Sequence, residues 1–229
     1  MRYIILFVFS ICFSQSVHSQ IYEVGVFLGG SNFIGDVGKT NYIAPDDPAI
    51  GLMLKWNRSP RHSWRVSLIY SDLKGDDSKS DDPRRVERNY KFDSNLLEIS
   101  AGMEFTFFDF NLHDNGTQFT PYIFSGITMA RHNNYYFSQN GEYTPEGTTS
   151  WAYGIPMALG LKASLTNHLI LGFEVGARYT FSDELDGSVP DSENLEALSF
   201  GNTNSSDWYV FTGFTLTYTF GQRPCYCNF

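Results

Sequence analysis

The segment from Trp208 to Phe220 has the most regular alternation of apolar and polar positions in the chain. One face would carry Val210, Thr212, Phe214, Leu216, Tyr218 and Phe220, and the other Phe211, Gly213, Thr215, Thr217 and Thr219. A period of two predicts a β-strand whose two faces meet different surroundings. Aromatic residues at the end of such a strand are typical of bacterial outer-membrane β-barrels, in which lipid covers one face and a polar interior the other.

The same pattern predicts eight strands joined by connections that alternate in length. The strands cover roughly residues 20–30, 49–58, 63–73, 96–108, 118–131, 150–164, 168–182 and 207–221. Connections 59–62, 109–117 and 165–167 are short, whereas 31–48, 74–95, 132–149 and 183–206 are long and polar. This arrangement predicts an all-β protein, an eight-stranded antiparallel up-and-down transmembrane β-barrel. Its short turns and both termini are expected in the periplasm.

The inward face of the predicted strands collects four acidic and four basic residues. They are Glu23, Lys55, Arg65, Glu98, Glu104, Lys162, Glu174 and Arg178. The outward face is apolar, as in Leu97, Ile99 and Phe105 of the fourth strand. A soluble β-sandwich would alternate in the same way. Several segments are about ten residues or longer, however, which favours tilted membrane crossings.

Eight strands leave an interior that side chains can fill. We therefore expect the eight charges to form a hydrogen-bonded ion network, because an unpaired buried charge is costly. No conducting pore is expected. Gly154, Ala158 and Gly160 on the inner face of the sixth strand leave room for the long side chains.

Composition agrees with a barrel in the outer membrane. Aromatic residues make up 17% of the chain, as expected if girdles of Tyr, Trp and Phe mark both membrane interfaces. The formal net charge of −9 argues against a nucleic-acid partner. A basic start and an apolar run ending near Ser19 predict a removed signal peptide over residues 1–19. The barrel would then cover 20–221 and a periplasmic tail 222–229.

The sequence predicts no catalytic, cofactor or metal site. Glu98, Glu104 and Glu174 are a candidate catalytic set, but a structural ion network is favoured because each acid has a candidate base. The acidic segment 183–196 offers oxygen ligands for calcium, yet its spacing matches no calcium loop and a solvated surface loop is favoured. Segment 74–88 mixes both charges and offers contacts for lipopolysaccharide phosphates or a partner. A mobile polar loop is its default interpretation.

The predicted tail contains two cysteines and two aromatic residues, Cys225, Tyr226, Cys227 and Phe229. A Cys-x-Cys disulfide closes a very tight ring, so linkage to a partner and free thiols stay open as alternatives. Aromatic residues favour burial at an interface, and disorder is an equal alternative for the tail.

Several strand and turn segments resemble the PorG-like proteins of Bacteroidota. The segments are 22–36 (YEVGVFLGGSNFIGD), 55–61 (KWNRSPR), 98–105 (EISAGMEF), 110–113 (FNLH) and 120–122 (TPY). The resemblance implies an outer-membrane barrel of the type IX secretion system, which also serves gliding motility. Its implied partner is a periplasmic ring of a PorK-like or GldK-like lipoprotein and a PorN-like or GldN-like protein. The family member is not itself the protein-conducting channel.

Topology and resemblance together lead us to expect a non-enzymatic anchor that fixes this ring beneath the outer membrane. The candidate ring contacts, in the periplasmic turns and tail, are Arg58, Pro60, Arg61, His62, Asn111, Leu112, His113, Cys225, Tyr226, Cys227 and Phe229. Outer-membrane lipids and lipopolysaccharide are the other expected partners. The alternative is a stand-alone small barrel that acts in surface adhesion or membrane integrity through its long loops. An enzyme acting on lipid A is a third class, but no catalytic constellation supports it.

Overall fold

The computed structural model describes residues 21–112, 116–202 and 206–221. Eight antiparallel strands form a closed barrel in which each strand pairs with its sequence neighbours and β1 pairs with β8. The strands are β1 (Ile21–Ile34), β2 (Asp47–Asn57), β3 (His62–Asp76), β4 (Lys91–Thr106), β5 (Phe119–Phe137), β6 (Tyr143–Ser164), β7 (Leu169–Thr180) and β8 (Trp208–Gly221). The predicted eight-stranded up-and-down barrel is confirmed. Ile21 pairs with Gly221, so β1 begins and β8 ends at the same edge of the barrel.

The outward face of the strands is apolar and bordered by aromatic side chains. Leu28, Leu52 and Leu159 are each about 60% exposed, although a soluble protein would bury them. At the edge with the short turns, Phe220, Tyr22, Trp56 and Trp64 occupy paired positions on β8, β1, β2 and β3. Near the opposite edge are Tyr70, Trp151, Tyr153, Tyr179, Phe181 and Trp208. The barrel therefore presents an apolar band between two aromatic girdles.

The strands next to the long connections extend further than the sequence pattern predicts. β3 continues to Asp76 and β4 begins at Lys91, so most of the predicted loop 74–95 is strand or helix. β5 continues to Phe137 and β6 begins at Tyr143 in the same way. The outward residues of these extensions are polar, so the apolar-polar contrast that marks a half-buried strand is lost while the hydrogen-bond ladder continues.

Among the described residues, helices occur only in the long connections. A short helix α1 (Pro83–Arg88) and two 3-10 helices (Asp77–Lys79 and Glu193–Leu198) lie there. Asp82 caps α1 by accepting a hydrogen bond from the Arg84 amide, and Pro83 takes the first helical position, where no amide donor is needed. Within the described residues no helix is long and apolar enough to cross a membrane.

The long connections fold together over one end of the barrel. We call the segments 35–46, 77–90, 138–142 and 181–207, as far as the structure describes them, the cap. Tyr90 stacks on Phe137 with ring centroids 4.3 Å apart, and Phe200 packs edge-on against both rings. The cap closes the end of the barrel opposite the short turns.

Candidate functional site: the charged lumen and the short-turn face

The eight charged residues predicted to face inward all lie buried in the lumen. Each is 4% exposed or less. They alternate with outward residues on β1 to β4, β6 and β7, so the period of two alone directs them inward. Barrel closure then brings together side chains that lie far apart in the chain, such as Arg65 and Glu174.

Glu104 is the centre of the part of this network that lies nearest the short turns. The Lys162 ammonium donates to Glu104 Oε1 at 2.8 Å, and Lys55 Nζ lies 2.7 Å from Oε2. The Lys55 contact is an ion pair without hydrogen-bond geometry. Arg65 Nη1 is further away, 3.9 Å from the same oxygen. One carboxylate is therefore surrounded by three cations, which compensates much of the cost of burying them.

Glu174 and Arg65 form the next layer. The guanidinium donates two hydrogen bonds to the carboxylate, at 2.5 and 3.0 Å, in the bidentate geometry that suits this pair. The Tyr122 hydroxyl adds a third at 2.8 Å. Gly160 gives the Tyr122 ring its space, because a Cβ on Gly160 would lie 2.3 Å from a ring carbon. At Gly160, the space that the sequence pattern assigns to long charged side chains is occupied by the Tyr122 ring.

Glu98 and Glu23 show two ways of satisfying a buried acid. Glu98 accepts from Arg178 Nε at 3.2 Å and from the Tyr209 hydroxyl at 2.7 Å. Glu23 has neutral donors instead, the Asn57 amide and the Thr217 hydroxyl, each at 2.8 Å. The sequence pattern places Glu23 in the lumen, but it does not indicate that its donors would be uncharged.

The geometry of the lumen favours a structural network. Arg65 and Arg178 also lie over the rings of Phe124 and Phe211, with each guanidinium carbon 4.6 Å from the ring centroid. No group of three or more His, Cys, Asp or Glu side chains among the described residues is arranged to hold a metal ion.

The short-turn face is formed by turns 58–62 and 107–118 together. The Phe110 amide donates to the Pro60 carbonyl at 3.0 Å, and Arg61 forms an ion pair with Asp109 across the two turns. Phe110 itself is buried, with Lys162 Nζ 4.9 Å from its ring centroid. The second turn therefore covers the charged end of the lumen.

The candidate contact residues that the structure describes lie on this face. Arg58, Arg61 and His62 are exposed, whereas Pro60, Asn111 and Leu112 are half-buried. The Asn111 amide and carbonyl both bond the side chain of Gln118, at 2.6 and 2.7 Å, which joins the two described parts of the second turn. The other candidates, His113, Cys225, Tyr226, Cys227 and Phe229, lie outside the described residues, as does the predicted signal peptide.

Asp109 and the exposed Phe108 also belong to this face but are missing from the sequence-based set. Phe108 is 59% exposed. Asp109 was assigned only to a turn, because its partner Arg61 is 48 residues away and no local pattern links the two. The sequence carries no signal that would have paired them.

The expectation that segments 74–88 and 183–196 are mobile or solvated loops is wrong for several of their residues. Asp77, Leu185 and Asp186 are 0–1% exposed. Asp77 accepts from Arg88, from the Tyr90 amide and from the Gly38 amide, so one carboxylate joins two cap segments. The polar composition arises because these side chains satisfy backbone groups that the packed cap removes from water.

A family model matches residues 2–229. The chain belongs to the family described as a domain of unknown function, DUF6089. Among curated proteins, none matches the chain. The similarity to solved structures is at the level of small barrels with very different sequences.

Three of these structures illustrate that similarity. Ail, the attachment invasion locus protein of Yersinia pestis, is 10% identical, with 88% of this chain and 99% of that chain covered and a TM-score of 0.44. Neisserial surface protein A is 12% identical, with coverage of 88% and 97% and a TM-score of 0.45. The N-terminal β-barrel domain of Pseudomonas aeruginosa OprF is 11% identical, with coverage of 89% and 98% and a TM-score of 0.43.

Proposed function

We propose that this DUF6089 protein is an outer-membrane barrel of the PorG-like type that anchors a periplasmic ring of the type IX secretion system. It acts without enzymatic activity, through its short-turn face and C-terminal tail. Three features support the proposal: the apolar band between aromatic girdles, the filled lumen, and the order of the short-turn face. The last of these carries the anchoring role.

The outer surface supports a location in the membrane. Exposed leucines, isoleucines and valines surround the barrel between the girdles, and in water so large an apolar surface would drive aggregation. In lipid, the same surface needs no cover, and the closed hydrogen-bond ladder leaves no unpaired edge. Short turns toward the periplasm and the cap toward the outside complete the proposed orientation.

Changing Leu52 to Arg tests the membrane location. Leu52 pairs with Val26 and Leu68 in the apolar band and is 60% exposed, so Leu52→Arg would be nearly neutral in a barrel surrounded by water. In a bilayer we expect the unfolding free energy to fall by about 2 to 4 kcal/mol, measured in lipid vesicles. Asn133→Arg, on an exposed rim residue, is the matched control and should cost about 1 kcal/mol or less. Equal effects of the two changes would contradict the membrane location.

The filled lumen directs attention to the two ends of the barrel. A protein cargo cannot share a lumen occupied by eight buried charged side chains, their tyrosine partners and, above them, an apolar core. This agrees with a family role beside the conducting channel. The protein would then act through partners bound at the two ends of the barrel.

Three of the five resemblance segments lie at the short-turn end. Segment 55–61 is the end of β2 with the first turn, 110–113 lies in the second turn, and 120–122 begins β5 beside it. The backbone bonds between Pro60 and Phe110 and the Arg61–Asp109 pair join these segments into one surface. The surface combines exposed Arg58 and Arg61 with exposed Phe108, a combination of arginine and aromatic side chains that is enriched at protein interfaces.

Pull-down of the full-length barrel from solubilised membranes tests the anchoring role. The test variant combines Arg58→Ala, Arg61→Ala and His62→Ala with deletion of residues 222–229. We expect it to lose most of the co-purifying ring lipoprotein and its partner, because central interface residues carry most of the binding energy. The matched control, Lys79→Ala with Arg84→Ala, removes exposed charges from the cap at the other end.

Ring proteins retained at wild-type levels by the test variant would contradict anchoring through this face. Loss of ring binding in the control, with the test variant unaffected, would instead favour the alternative of a barrel that acts through its long loops. Both variants must insert into the membrane at wild-type levels, which is measured by membrane fractionation of the same cells.

A further inference from the structure

Four carboxyl groups meet inside the cap, between the segment after β1 and the segment before β8. They are Asp36, Asp183, Asp186 and Asp207, and we call them the carboxylate clasp. Asp186 and Asp207 are 0% and 1% exposed, whereas Asp36 and Asp183 are half-buried. Carboxylates are rarely buried without a cation, so this group requires a specific explanation.

The clasp joins segment 181–207 to segment 35–46. Asp186 Oδ2 accepts from the amides of Asp36 and Val37 at 2.9 and 3.1 Å, and Oδ1 accepts from the Ser188 amide at 2.9 Å. Asp36 Oδ2 accepts from the Asn202 amide at 3.0 Å, in the opposite direction across the same contact. These bonds hold Val37 and Leu185, both buried, against the apolar core below.

Two oxygens of the clasp lack a partner. Asp207 Oδ2 accepts from the Leu185 amide at 3.0 Å, but its Oδ1 is buried with no hydrogen-bond partner among the described residues. Asp183 Oδ2 is also buried and has no hydrogen-bond partner among the described residues. A buried carboxylate oxygen without a donor is costly, whereas a protonated carboxyl group is neutral and can donate to a neighbouring carboxylate.

The groups around the clasp do not supply the missing positive charge. Arg88 of segment 77–90 donates to the Asp36 carbonyl oxygen at 2.7 Å and to the Asp77 carboxylate, so its charge is already balanced. Glu184 adds a further acid next to Asp183. Within the part of the chain that the structure describes, these acids are not arranged to hold a metal ion. Protons are therefore the simplest counter-charge.

We propose that the carboxylate clasp is a proton-dependent lock, which holds segment 181–207 on segment 35–46 when its carboxyl groups are protonated and loosens as they ionise. The cap would then be tighter in acidic than in neutral or alkaline surroundings. The lock is independent of the proposed anchoring role, because it lies at the opposite end of the barrel.

The direction of the pKa shifts agrees with this geometry. Burial, followed by repulsion from Asp186, Asp36 and Glu184, raises the pKa of Asp183 from 3.8 to about 7. Burial also raises the pKa of Asp186, and it raises that of Asp207 well above the ordinary value. The closed cap thus binds protons that an open cap would release. Its extra stability is complete below about pH 4 and is lost as the pH rises toward and through about 7.

Hydrogen exchange of the full-length barrel in detergent micelles tests the lock. Protection factors, which correct for the pH dependence of intrinsic exchange, are compared for segments 35–46 and 181–207 at about pH 5 and about pH 8. We expect a fall of about a thousandfold in the wild type, because Asp183 accounts for about two pKa units between these pH values and Asp207 adds to them. In Asp207→Asn, which keeps an acceptor for the Leu185 amide but cannot ionise, the fall should shrink to about a hundredfold, the share of Asp183.

Asp81→Asn is the matched control, since Asp81 is an exposed aspartate of the cap outside the clasp. It should behave like the wild type. A wild type with equal protection at both pH values, or an Asp207→Asn variant with an unchanged fall, would overturn the proposal. Full recovery of wild-type protection at about pH 8 on adding about 5 mM Ca²⁺ would also overturn it, because the counter-charge would then be a cation. Exchange in β2 and β3, measured together, reports whether each variant keeps its barrel.

Discussion

The two halves of the lumen are filled in opposite ways. Near the short turns, acids and bases such as Glu104 and Lys162 are buried in pairs. Toward the cap, the interior is apolar and includes Leu73, Phe92 and Phe137. Barrel closure removes both halves from solvent, so the two halves differ in the interactions that stabilise them. Ion pairs and hydrogen bonds between distant strands stabilise the lower half, near the short turns, and close apolar packing stabilises the upper half, near the cap.

The halves also differ in how charge is compensated. The ion network of the lumen has equal numbers of acidic and basic side chains, whereas the carboxylate clasp in the cap has four acids and no cation of its own. Removing one member of an ion pair should therefore reduce stability most in the lumen, because the remaining charges stay buried between strands. In the cap, loops can open and let water reach the group. We therefore expect substitutions in the ion network of the lumen to lower the unfolding free energy of the whole barrel. Substitutions in the cap should have smaller effects that are confined to the cap.

Changing Glu104 to Gln should have the largest effect. The substitution keeps the shape of the side chain but leaves Lys55 and Lys162 buried without their counter-charge. We expect the unfolding free energy to fall by about 3 to 5 kcal/mol, measured by urea titration of the barrel in lipid vesicles. Glu196→Gln, on an exposed residue of the cap, should change it by less than about 0.5 kcal/mol. A Glu104 variant as stable as its control would show that the network is not needed for stability.

Changing Gly160 to Ala should have an intermediate effect in the same half. The new Cβ would lie 2.3 Å from a carbon of the Tyr122 ring, and moving the ring disturbs its bond to Glu174. We expect a loss of about 1 to 3 kcal/mol in the same urea titration. Gly116→Ala is the matched control, because nothing lies within 4 Å of its added Cβ. If both variants unfold alike, the lower lumen is more adaptable than its close packing implies.

Changing Arg88 to Ala should have the smallest global effect, confined to the cap. Arg88 bonds Asp77 and the Asp36 carbonyl, and its guanidinium lies over the rings of Tyr90 and Phe200. We expect cap amides to lose about 1 to 3 kcal/mol of protection in hydrogen exchange, with barrel amides unchanged. Arg84→Ala, in the same helix but with a side chain 90% exposed, should have no effect. Equal loss of protection in strand amides would remove the distinction between the halves.

Much of the lower half could be predicted from the chain because its strands alternate strictly. All eight inner charges lie in the lumen where the period of two places them. Their partners could not be assigned, because register and closure decide which distant strands face each other. Glu23 illustrates this: its donors are Asn57 and Thr217, 34 and 194 residues away.

The structure of the cap, in contrast, could not be predicted from the sequence. Polar and charged segments such as 74–88 carry no hydrophobic period, so they suggest loops without order. In the folded chain Asp77 and Asp186 are buried because each accepts several backbone amides from a different segment. Side-chain-to-backbone bonds of this kind depend on where loops meet, and no local pattern encodes them.

By itself, the sequence determined the class of this protein: the eight strands, the apolar outer face, the charged inner face and the family resemblance at the short turns. These are properties of residue type and spacing, which act locally along each strand. Only the tertiary structure decided which charges pair, how the two turns form one face, and that four aspartates meet within the cap. Those contacts join positions up to about two hundred residues apart, and chain closure alone brings them together.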